Sequence, residues 1–225
     1  MAITRTLFVV THPESRHHLE SRVGGWHDSA LTVRGEFQAD RIAAELQSRI
    51  PAGASAQVFT SDLRRARATA EMIADRLGSR VVDRPGLREK SYGVAEGREQ
   101  SWLDERFVFP PVPDDAFDHA ARLDHAEGID GAETRREAGA RIYAAVDEVL
   151  AQRASHQVVV THGFAHTFVI GRWLELPLEA MGRATFAARS GCITELVEDD
   201  LFGNRTLQSL AAVDHLGDAL GGPPL

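Results

Sequence analysis

The chain has 225 residues, 43% of them hydrophobic and 26% charged, a composition that fits one sizeable globular domain and excludes disordered and fibrous designs. A formal net charge of -8 with no block of Lys or Arg excludes nucleic acid and anionic membrane as partners bound through phosphate neutralisation, so any anion must be held locally. The lone Cys192 excludes an internal disulfide, and neither a signal peptide nor a run of ~20 apolar residues is legible, which makes the cytoplasm the expected compartment.

Residues 5–10, RTLFVV, predict a short buried strand whose run closes at His12. Over 32–49, Phe37, Ile42, Leu46 and Ile50 fall near helical spacing, with Thr32 placed as N-cap. AQVFTS predicts a second strand, SDLRRARATAEMIADRLG a helix with Gly78 at its stop, and RVV a third strand. From about 86 to 132 the periodicity fails. SYGVAEGR and FVFPPVPDDAF are rich in Pro, Asp, Gly and aromatics and predict an irregular insertion over the sheet edge. Helical spacing returns over 133–153, and HQVVVTH repeats the apolar run that closes on histidine. GFAHTFVIGRWLEL predicts a helix, and CITELVED with RTLQSLAAV predicts a hairpin across FGN. Cys192 in SGCITELV reads as a buried structural thiol.

Strands alternating with helices predict a mostly parallel sheet covered on both faces, in one α/β domain over 1–225 with an insertion at about 98–132 and a frayed tail at 217–225. In such sheets ligands bind outside the carboxyl ends of the strands, where His12 and His162 both stand. If their strands are neighbours, two imidazoles enter one pocket. Imidazole can act as a covalent nucleophile near neutral pH. A transferring anion would need arginine, and Arg64, Arg65 and Arg67 open the second long helix, where they cannot all face inward and one is expected to. A proton donor is also required, and LREKSYGVAEGR offers Glu89 and Glu96. HPESRHH contains His12, Glu14, His17 and His18, but the spacing does not make a convincing metal site. Trp26, Trp102, Phe107 and Phe109 read as local core more readily than as a pocket lining.

These pieces, in this order, resemble the histidine phosphatase superfamily, also called phosphoglycerate mutase-like. His12 stands where the family's Arg-His-Gly carries its nucleophile. DSALTVRGEFQA matches the stretch that follows, SDLRRARATA the helix start that selects Arg65, and LREKSYGVAEG the segment that selects Glu89 as proton donor. GAET and VVVTHGF, the latter with His162, complete the series. The resemblance implies a three-layer α/β/α sandwich and phosphoryl transfer through a phosphohistidine at His12. It places Glu89 and His162 beside His12 as catalytic groups, and Arg65, Thr11, Ser15, His18 and Gly163 around a small phosphorylated substrate, with no cofactor and no metal. Two departures stand out: Thr11 replaces the family arginine, and Pro13 the glycine. Arg16, His17, His18 and Arg22 are the nearby candidates to restore the lost cation. The insertion PPVPDDAFDHAARLDHAEG is acidic and apolar, and predicts a substrate with little charge beyond its phosphate. Three functions follow, in descending order: a phosphatase, a relative repurposed to acid/base chemistry without phosphate, and a silent binding domain. A homodimer is left open.

Overall fold

Strand β1 (Ile3–Thr11) alternates between two cores, with Leu7 and Val9 in one and Phe8 and Val10 in the other. This is the pattern of a strand buried on both faces. A computed structural model describes residues 3–110 and 119–219. After β1 come the short helix α1 (Arg16–Leu19), α2 (Val33–Arg49), β2 (Ala56–Thr60), α3 (Arg64–Leu77) and β3 (Val81–Asp83). Then follow α4 (Gln100–Asp104), α5 (His119–Asp124), α6 (Arg135–Leu150), β4 (His156–Thr161), α7 (Gly163–Trp173), β5 (Ile193–Asp199) and β6 (Arg205–Ala212).

The strands form one six-stranded sheet in the order β3-β2-β4-β1-β5-β6. β3, β2, β4 and β1 are parallel, and β5 and β6 add an antiparallel edge beside β1. Ile42 of α2 and Ile73 of α3 fill the core on one face, and Ile142 of α6 and Phe168 of α7 the core on the other. The molecule therefore has the expected α/β/α layering. Among the described residues no helix is long and apolar enough to cross a membrane.

Local signals explain most boundaries. Thr32 caps α2 by accepting from the Gly35 amide at 2.9 Å, Thr134 and Glu137 make a capping box at α6, and Gly78 ends α3 in the left-handed region. Phe37 departs from expectation: it is 57% exposed, while Gly35, Gln38, Ala39, Ile42, Ala43 and Leu46 make the inward face. Small and polar residues take that face because α2 packs closely on the loop after β1. A Cβ at Gly35 would lie 1.9 Å from the Glu14 carbonyl, and Gln38 accepts the Glu14 amide at 3.2 Å.

In the irregular stretch, turns at Pro85–Leu87 and Gly93–Ala95 precede α4, and Val23, Ala95, Leu103 and Ile129 form a small third core joined by Trp102 and Phe107. Phe109 is exposed and stands edge-on to Phe107. An isolated bridge between Arg22 and Glu99 ties this stretch to the loop after β1. The segment PVPDDAFD and the final six residues of the tail lie outside the described residues.

Candidate active site

The register of β1 against β4 pairs Thr11 with Thr161, so His12 and His162 leave adjacent strands side by side. The His12 amide donates to the Thr161 carbonyl at 3.0 Å, and the two rings meet edge-to-face with centroids 5.1 Å apart. β2 delivers Ser61 to the same end of the sheet, its amide donating to the Val160 carbonyl at 3.1 Å.

The hydrogen bonds of His12 determine its protonation. Nδ1 lies 2.8 Å from the Pro13 carbonyl, which can only accept, so Nδ1 carries the proton. Arg65 Nε, which can only donate, points at Nε2 from 3.1 Å. The ring is a neutral imidazole with its lone pair on Nε2. Burial, then the Arg65 charge, then His162 hold its pKa well below 6.5. Arg65 is itself almost completely buried and anchored by the carbonyls of His27 and Gly25, each at 2.7 Å, which orients its remaining N–H groups.

Glu89 meets the amino end of α7. Its carboxylate accepts from the amides of Phe164 at 3.0 Å, Ala165 at 3.1 Å and Lys90 at 3.0 Å. Burial nevertheless dominates and raises its pKa above the ordinary 4.5, against the pull of those amides and of Arg65. The Glu89 carbonyl is held by the Trp26 indole at 2.8 Å and by Arg141 at 3.0 Å. His162 lies fully buried, its Nε2 2.9 Å from Ser61 Oγ and its Nδ1 without a partner among the described residues. Burial and then Arg65 push its pKa down as well.

A cavity of about 1320 Å³ opens onto His12, His18, Arg65, Glu89 and Gly163. A lone pair, a fixed guanidinium and a carboxyl group with a raised pKa thus face one space. That combination can make and break a bond to an anionic group. Glu96, the alternative proton donor, is instead engaged with Ser91 Oγ at 2.7 Å and the Tyr92 amide at 3.0 Å. Arg67 turns outward to Glu71 and Asp83. His12, Glu14, His17 and His18 are not gathered into a metal-ligating group among the described residues.

The family model of the histidine phosphatase superfamily (branch 1) matches residues 7–205. The chain belongs to the histidine phosphatase superfamily. One curated relative, the probable phosphoglycerate mutase GpmB of Yersinia enterocolitica, is 33% identical over 180 residues, covering 79% of this chain and 78% of its own. Among solved structures, a mycobacterial glucosyl-3-phosphoglycerate phosphatase, in its VO3 complex, is 25% identical with a TM-score of 0.70, covering 93% of this chain and all (100%) of its own. YhfR of Bacillus stearothermophilus, at 24% identity, has the same fold with a TM-score of 0.72, covering 94% of this chain and 99% of that one.

In this histidine phosphatase relative the approach to the first histidine is tied down by hydrogen bonds. Thr11 is fully buried; its hydroxyl donates to the Arg189 carbonyl at 2.5 Å and accepts from the Cys192 amide at 3.1 Å, which fully engages it away from the cavity. Ser15 is likewise buried, its hydroxyl 3.0 Å from His17 Nδ1. The imidazoles that were to restore the cation are neutral: burial and neighbouring charge push His17 down to about 2 and His18 to about 4. Arg22 reaches the cavity but pairs with Glu20 and the Gly97 carbonyl, and Arg16 is exposed outside it. Among the described residues Arg122, Arg135 and Arg189 line the walls together with Glu14 and Glu89, while Asp124 turns out to Arg136 and Glu127 pairs with Lys90; the acidic run PVPDDAFD lies outside the described residues. Arg189 could have been found only by pairing β5 with β1, which sets 189–192 beside Thr11.

Proposed function

We propose that this chain hydrolyses a phosphate monoester of a small metabolite through a covalent phosphohistidine at His12. His12 Nε2 attacks phosphorus, the bond to the leaving oxygen breaks, and that oxygen departs with the bonding pair while taking a proton from Glu89. Water then attacks the phosphohistidine and yields its proton to the Glu89 carboxylate. Phosphate leaves, and His12 recovers its lone pair. Arg65 and the amino end of α7 stabilise the charge on the transferring group, and we assign His162, fully buried against His12 and with no partner for Nδ1 among the described residues, to complete the cradle. The proposed reaction needs no resident metal, and we place the enzyme in the cytoplasm.

The observation that carries this reading is the orientation of His12. Its Nδ1 proton is held by a carbonyl, and its Nε2 lone pair is held against a buried guanidinium beside a carboxyl group of raised pKa. The mycobacterial phosphatase supports hydrolysis. The name of the 33% identical relative supports a phosphoglycerate mutase instead. Incubation with p-nitrophenyl phosphate, the phosphoglycerates and a panel of sugar and nucleoside phosphates at about pH 6 distinguishes these. A phosphatase releases phosphate from several of them and His12→Ala releases none. A mutase interconverts phosphoglycerate isomers without release. Turnover absent in the wild type, or equal in His12→Ala, contradicts the reading.

A further inference from the structure

We propose that Arg189 is the phosphate-binding cation that position 11 no longer supplies, and that Thr11 is the residue that positions it. This rests on the phosphatase reading above. Four contacts bind residues 189–192 to the end of β1: Thr11 Oγ1 to the Arg189 carbonyl at 2.5 Å, the Cys192 amide to Thr11 Oγ1 at 3.1 Å, the Thr11 amide to the Cys192 carbonyl at 3.2 Å, and the Gly191 amide to the His12 carbonyl at 3.2 Å. The residue in place of the arginine therefore holds the backbone of another arginine beside His12.

The other guanidiniums of the cavity wall are each tethered to protein oxygen by at least one hydrogen bond, although Arg135 Nε has no partner among the described residues. Arg65 is anchored on two carbonyls, Arg22 on Glu20 and Gly97, Arg122 on the Gly182 carbonyl at 3.1 Å, and Arg135 on the Met181 carbonyl at 3.2 Å and over the Phe164 ring. Arg189 is an exposed residue that lines the same cavity as His12, and its guanidinium has no hydrogen bond or ion pair among the described residues. A strongly basic fork, placed by its backbone and left without an anion, suits a bidentate contact to a phosphoryl group.

Orthovanadate affinity by calorimetry, together with kcat/KM for p-nitrophenyl phosphate, tests this. Arg189→Ala lowers kcat/KM by about 100-fold and weakens vanadate by a similar factor; Arg189→Lys retains part of both, and Arg16→Ala changes neither. Thr11→Val weakens vanadate binding in the wild-type background but adds nothing in the Arg189→Ala background, whereas Thr11→Ser keeps the hydroxyl and the affinity. Wild-type vanadate affinity in Arg189→Ala overturns the proposal, as do additive effects of the two positions. Failure of the phosphatase reading looks different: the wild type turns over no ester, while vanadate binding still reports on Arg189.

Discussion

At the residue scale the decisive property is that His12 is kept neutral. Its native pKa lies well below 6.5 through burial and the Arg65 charge, so protonation does not silence it until the pH has fallen below the ordinary histidine range. Glu89, raised above 4.5 by burial, keeps its proton to higher pH than a surface glutamate. The kcat/KM profile is therefore expected to show an acid limb below about 6.5 and an alkaline limb that Glu89→Gln removes. An acid limb centred on the ordinary histidine value contradicts the burial argument. Glu89→Gln should also harm an alkyl phosphate far more than p-nitrophenyl phosphate, whose leaving group needs little protonation; equal losses would deny Glu89 the role of acid. Arg65→Ala should cost at least about 100-fold in kcat/KM, because it removes a buried donor aimed at His12. Arg64→Ala should change it only a few-fold, since Arg64 is exposed.

The element scale is where the sequence was easiest to read and where one helix resisted. Runs such as RTLFVV and HQVVVTH became β1 and β4 because a strand buried on both faces is apolar throughout, and Thr32, Gly78 and the Thr134 capping box set helix ends through chemistry visible in the letters. On α2, Ile42, Leu46 and, at its C-cap, Ile50 are buried as their spacing predicts, but Phe37 is exposed, and Gly35 and Gln38, which apolar counting passes over, complete the inward face. Gly35→Ala makes that face measurable. The added Cβ would lie 1.9 Å from the Glu14 carbonyl, so backbone must move, at a cost of about 2–4 kcal/mol and on the order of 10 °C in melting temperature. Because Glu14 follows His12 by two residues, activity should fall as well. An unchanged melting temperature would mean that the helix and the loop are not in this contact.

Across the whole molecule, the convergence of His12, Arg65, Glu89 and His162 depends on the strand order, which places β4 between β1 and β2. The spacing along the chain hinted at a shared pocket, but the roles of Thr11 and Arg189 appear only once β5 is laid antiparallel on β1. Burial of so many imidazoles has a global consequence. Seven of the ten histidines are held below their ordinary pKa. The unfolded chain takes up their protons at about 6.5 and the native state does not, so stability is full above that pH and is lost as the pH falls toward the native values. Urea midpoints should hold steady from pH 8 to about 7 and decline below about 6.5, and His17→Asn should flatten part of that decline. A midpoint independent of pH down to about 5 would contradict the buried, neutral state of these rings. The most direct test of the account is rapid-quench trapping with an alkyl phosphate, followed by peptide mapping under alkaline conditions that preserve phosphohistidine. The account predicts one phosphoryl group on the peptide that carries His12, formed within a turnover and absent from His12→Ala. Phosphate release with no phosphoryl group on that peptide, or with undiminished release by His12→Ala, would contradict it.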